Sequence, residues 1–152
     1  MKHIHRICAR GLAYKDGKLF GQKLQGSTGD WWCTPGGGVE PMESLHDALS
    51  REMIEETGIK PDIGRLILVQ QFAKPDTSTG ATIENLEFFF LIENPDDYLD
   101  IDITDTSHGT VEIADFGFID PADKNMLPTI LQDDEVIEAI RNNKPVIFHS
   151  NL

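Results

Sequence analysis

The sequence predicts an α/β fold in which a mixed β-sheet lies between helices. Three observations predict it. Strand-like and helix-like segments are mixed without the strict alternation of a βαβ protein. The run from Phe88 to Ile92 is apolar without a break, as in a central strand covered on both faces. Residues 44–57 carry apolar side chains at helical spacing, between a serine that can cap a helix and a glycine that can end one.

The elements follow in chain order. Residues 4–14, rich in Ile, Cys, Ala and Leu, read as a strand. Asp16-Gly17 is a hairpin turn signal, and Lys18–Leu24 is the return strand. Gly26–Asp30 is a loop, and Trp31–Thr34 a short strand ending before Pro35. Gly36–Glu43 reads as a loop from its glycines and proline. Ser44 opens a helix as N-cap, Asp47 completes a variant capping box, and Gly58 closes the helix. Asp62–Phe72 and Glu84–Ile92 are strands. The acidic stretch from Asp96 to Asp105 is expected to be a solvated connection, since it lacks the glycine and terminal glutamate of a calcium loop. Thr110–Ile119 is another strand. Asp133–Asn143 is a helix with Val136, Ile137 and Ile140 as its apolar stripe. No repeat or linker interrupts the chain, so residues 1–152 are expected to form a single domain.

A formal charge of −13 over 152 residues argues against nonspecific binding to nucleic acid or to an anionic membrane. An anionic substrate would need a cation between itself and this chain, and a divalent metal is the simplest one. The first residues lack the apolar segment of a secretory signal, and no run reaches membrane-span length. Cys8 and Cys33 stand alone, which suggests buried thiols in a reducing compartment. The expected location is cytoplasmic.

The 44–57 helix has a split face. At about 100° per residue, Leu45, Ala48, Leu49 and Met53 form the stripe that must face the core. Glu52 and Glu56 lie seven residues after Leu45 and Leu49, so they continue that stripe. Glu55 flanks it. Carboxylates turned toward the body of a protein need partners. Arg51 can pair with Glu55 at i,i+4 but cannot neutralise three glutamates. The phase and charge favour a hard divalent cation over a solvated helix surface. The glycines ahead of the helix allow a backbone to approach a ligand closely.

Gly37, Glu43, Arg51, Glu52, Met53, Glu55, Glu56, Gly58 and Ile59 fill every defined place of a pattern that resembles the Nudix box. The order of strands around it is similar to the Nudix α/β/α sandwich. The resemblance implies hydrolysis of a diphosphate linkage in a nucleoside diphosphate joined to a group X. It implies Mg²⁺, with Mn²⁺ as a possible substitute. Glu52 and Glu56 would be the main ligands, Glu55 a shared one, and the Gly36 carbonyl a further one. Arg51 and Glu43 would orient the cluster. The box does not fix which glutamate is the general base. Glu112 resembles the extra acidic ligand or base that many such enzymes carry after the box, and Glu87 is a second outside candidate.

A small-molecule nucleotide needs apolar or aromatic walls. Trp32 and Phe72 are candidates for them, although each is also a natural core residue, and Arg10 and Lys23 are possible phosphate contacts. Pro75, sixteen residues beyond Ile59, leans the reading toward ADP-ribose or a nucleotide sugar. The alternatives are pyrophosphohydrolysis of oxidised or ordinary nucleoside triphosphates and a non-catalytic nucleotide-binding module. The resemblance also admits a homodimer.

Overall fold

A computed structural model describes residues 2–24, 31–101, 113–123 and 125–152. Its long strands are β1 (His3–Leu12), β6 (Ile63–Pro75) and β7 (Thr82–Ile92). β1 runs parallel to β7 in unbroken register from His3↔Thr82 to Leu12↔Leu91. β6 and β7 form an antiparallel hairpin, with register shifts between Ile63 and Leu68. The first sheet is completed by β5 (Gly36–Gly38) beside β1 and by β10 (Ile147–Ser150) beside β6, in the order β10-β6-β7-β1-β5. The apolar run of residues 88–92 therefore lies on the middle strand, as its composition predicts.

The strands divide between two sheets. The second is built on β3 (Lys18–Leu24), which pairs with β2 (Tyr14–Lys15), β4 (Trp31–Cys33) and β8 (Ile113–Ile119). β9 (Asn125–Leu127) extends it parallel to β4. β9 and β10 carry too few residues to show a period in the sequence.

Two helices cover the sheets. Helix α1 (Leu45–Thr57) is capped by Ser44, whose Oγ accepts from the Asp47 amide at 3.0 Å. It ends at Gly58, which takes φ 76°. Its Ala48, Leu49 and Met53 are fully buried with Ala9, Phe20, Phe90 and Ile92 on one face of the first sheet. Helix α2 (Asp134–Arg141) brings Val136 and Ala139 to the other face, with Leu12, Leu68, Phe89 and the second sheet. Strand alternation supplies both cores: Leu19 fills one and its neighbour Phe20 the other. Among the described residues, no helix is long and apolar enough to cross a membrane. Cys8 and Cys33 are free thiols.

Two expectations are corrected. Gly36–Gly38 is an edge strand on β1, with Arg10↔Gly36 and Cys8↔Gly38 as partners. Glycine suits the strand because it runs so close to β1: at Gly36, which has φ 132°, a Cβ would stand 2.1 Å from the Ala9 carbonyl oxygen. The acidic connection begins not as solvated coil but as a 3₁₀ turn, Pro95–Tyr98. Tyr98 anchors it, fully buried against Phe20 at a ring-centroid distance of 5.3 Å.

Candidate active site

The acidic end of α1 meets β5 where that strand leaves the sheet edge. Glu56 is buried, as the helical phase demands, and its Oε2 accepts from the Gly36 amide at 3.2 Å. Glu52 lies one turn earlier and packs so tightly on the next residue of β5 that a Cβ at Gly37 would stand 2.6 Å from its carboxyl carbon. Arg51 holds the group from outside. Its Nε and Nη2 donate to both oxygens of Glu43 at 2.9 Å each, Nη1 donates to Glu52 at 3.0 Å, and Nη2 also reaches the Gly38 carbonyl at 3.0 Å. Glu55 stands 3.6 Å from Arg51, and a third of its side chain is exposed.

The electrostatics separate the carboxylates. Hydrogen bonds from Arg51, then from the Glu40 amide, pull Glu43 down to about 2. Burial pushes Glu56 the other way, to about 8, against the opposing pull of Gln22, the Gly36 amide and Arg10. Glu56 is therefore an inward-facing acid that resists ionising in the metal-free protein.

Arg10, on β1, closes the inner side. Its Nε donates to Glu87 at 3.1 Å, and its Nη1 donates to the carbonyls of Gly36 at 3.1 Å and Thr34 at 3.4 Å. Glu87 is itself buried, so the two form a partly buried pair at the sheet edge. The negative field of Glu87 holds Arg10 protonated against its burial.

A cavity of about 230 Å³ opens between these groups, and Gly36, Gly37, Glu52 and Glu56 line it. The donor set is all oxygen: two carboxylates and a backbone carbonyl. Among the described residues, no three His, Cys, Asp or Glu side chains stand close enough together to hold an ion by themselves. Mg²⁺ does not require three, because it commonly takes one or two carboxylates and completes its shell with water and substrate phosphate. A buried acid at about 8 and an oxygen-only cavity fit such an ion.

A second cavity of about 450 Å³ adjoins the first, and Arg6, Arg10 and Cys33 line both. Phe72 and Glu87 line the second one, as do Gln70 and Asn85, which the sequence did not single out. Trp32 departs from expectation. It is buried among Met126, Ile119 and Leu19 and lines neither cavity, while Trp31 is the more exposed of the pair. Glu112 lies outside the described residues.

The NUDIX domain model matches residues 11–140. The chain belongs to the NUDIX family. Diphosphoinositol polyphosphate phosphohydrolase 2 of Rattus norvegicus is 53% identical to this NUDIX chain over 38 residues, which is 25% of this chain and 21% of that protein. The match thus spans about a fifth of the curated relative's length. Among solved structures, the E. coli ORF135 protein aligns over 95% of both chains with a TM-score of 0.60 and 25% identity. A UDP-X diphosphatase aligns over 94% of this chain and 66% of its own, with a TM-score of 0.63 and 21% identity. An ADP-ribose pyrophosphatase of Streptococcus suis aligns over 95% and 98%, with a TM-score of 0.59 and 17% identity. The last two are likenesses of fold.

Proposed function

We propose that this NUDIX pyrophosphohydrolase cleaves the diphosphate linkage of a nucleoside diphosphate joined to a second group, with ADP-ribose or a nucleotide sugar as the substrate class and Mg²⁺ as the cofactor. The observation that carries the reading is the convergence of Glu52, Glu56 and the Gly36 backbone on one cavity, with Arg51 and Glu43 bracing it. Glu52, Glu56 and the Gly36 carbonyl would hold the ion, with Glu55 in reach of a shared role. When bound, the ion supplies charge cancellation on the phosphate oxygens and a more acidic water.

The chain's own residues do the rest. Glu56 must release its proton before it can serve as a ligand. The bidentate Glu43–Arg51 pair keeps Glu52 from turning into solvent. Arg10, held protonated by Glu87, places a cation beside the cavity in a chain of charge −13 and can meet a phosphate oxygen. A glutamate near the attacked phosphorus takes the proton of the incoming water, with Glu55 and Glu112 as candidates for that role.

Two relatives of like fold are named for UDP-X and for ADP-ribose, and the short curated matches for diphosphoinositol polyphosphates. One substrate panel separates these classes: ADP-ribose, UDP-sugars, dinucleoside polyphosphates, nucleoside triphosphates and diphosphoinositol polyphosphates, each with Mg²⁺ and with Mn²⁺. Preferential turnover of the first two supports the reading. Preference for triphosphates or inositol compounds replaces the substrate class, and silence across the panel favours a nucleotide-binding module.

A further inference from the structure

The second cavity has a feature that packing alone does not explain. Its floor is the face of the first sheet that also carries Leu68 and Phe89 into the core. Two residues further along β6 that face presents Gln70, and then Phe72. Along β7 it presents Glu87, and then Asn85, which stands opposite Phe72. The stripe thus changes from apolar side chains to carboxamides as it leaves the core. Gln70 is 4% exposed and Asn85 2% exposed. The Oε1 of Gln70 and the Nδ2 of Asn85 are buried, and among the described residues neither has a hydrogen-bond partner. Buried polar groups are nearly always paired, so one unfilled acceptor and one unfilled donor on adjacent strands ask for a ligand.

We propose that this cavity binds the nucleobase of the substrate, with Gln70 accepting from the edge of the base, Asn85 donating to it, and Phe72 offering its ring as a wall. The inference rests on reading the first cavity as the diphosphate site, because the shared residues Arg6 and Arg10 make the two contiguous. A nucleobase is flat and uncharged, and its edge carries donors and acceptors side by side, which is what the paired amides complement. An inositol polyphosphate would need a wall of cations. Among the described residues this cavity's cations are Arg6, Lys74 and Arg10, and Arg10 is already paired with Glu87.

The test is calorimetric, with Mg²⁺ present, using ADP, GDP, CDP, UDP, inorganic pyrophosphate and inositol hexakisphosphate on the parent, Gln70→Leu and Asn85→Leu. At least one nucleoside diphosphate is expected to bind about tenfold or more tightly than pyrophosphate. Each substitution is expected to remove most of that surplus while pyrophosphate affinity holds. Each variant should also melt no lower than the parent, because an unpaired buried amide has been replaced by an apolar group of similar size. A surplus that survives both substitutions overturns the proposal, as does tightest binding by inositol hexakisphosphate. A marked fall in Tm overturns it too, because the amides are then structural. Glu56→Gln keeps the two readings apart. If Mg²⁺-dependent pyrophosphate binding is present in the parent and lost in that variant, the diphosphate site stands even when no base surplus exists. If it is absent from the parent, both readings fall.

Discussion

Replacing Glu56 by Gln should erase a pH dependence that the metal-free protein otherwise carries. Burial raises this carboxyl from the ordinary 4.5 to about 8. The folded state therefore holds a proton that the unfolded chain gives up at lower pH. The contribution to stability is fully present below about pH 4.5 and is lost as pH rises toward about 8. At about 1.4 kcal/mol for each tenfold difference in proton affinity, the loss amounts to roughly 4–5 kcal/mol from this one side chain. In a domain of this size that corresponds to about 10–20 °C in Tm. Glutamine keeps an oxygen for the Gly36 amide and cannot ionise, so it should melt at nearly the same temperature across that window. The assay is thermal unfolding in chelator at several pH values, parent against variant, repeated with excess Mg²⁺. A ligand carboxylate must be deprotonated, so Mg²⁺ should restore the parent most at the alkaline end and leave the variant nearly unmoved. If the parent and Glu56→Gln curves fall in parallel between about pH 5 and pH 8, Glu56 is not the buried acid described above.

Three further outcomes follow from the same geometry. Glu52→Gln should lower turnover by about a thousandfold or more with Tm changed by only a few degrees, and near-normal Mg²⁺-dependent rates would contradict its placement as a ligand. Arg51→Lys keeps the charge but loses the fork on Glu43, so Mg²⁺ affinity or activity should drop by about 10–100-fold; an unchanged Mg²⁺ titration would show that the bracing is dispensable. Gly37→Ala needs no left-handed backbone, yet its Cβ would meet the Glu52 carboxyl carbon at 2.6 Å. It should therefore weaken Mg²⁺ binding well before it unfolds the protein, which titration and melting measured together will distinguish.

Helix α1 was legible because its determinants are local. A cap at Ser44, a stop at Gly58 and a stripe of known period place Glu52 and Glu56 inward, and the structure puts both on one cavity. Local composition misleads at Gly36–Gly38, where strand pairing with residues far back in the chain overrides a glycine-rich stretch. Trp32 has the right chemistry for a binding wall, but the pairing of β4 with β3 and β9 turns it into the core. Asn85 and Gln70 look like ordinary polar residues in strands. Their burial becomes visible only once β1, β6 and β7 are laid side by side, since burial depends on neighbours across the sheet.

The unbroken pairing of β1 with β7 also sets a length. Gly36, which receives Glu56, is paired to Arg10, whereas Asn85 is paired to Arg6. Four residues of extended strand separate those two points, about 13 Å at the usual rise. No hinge or bulge interrupts that register. A molecule that engages the carboxylates and the amides at once has to bridge this fixed span, so the sheet acts as a ruler laid beneath the substrate. Selection by reach then operates alongside selection by chemistry, and a compound with the right groups at the wrong separation can satisfy only one end.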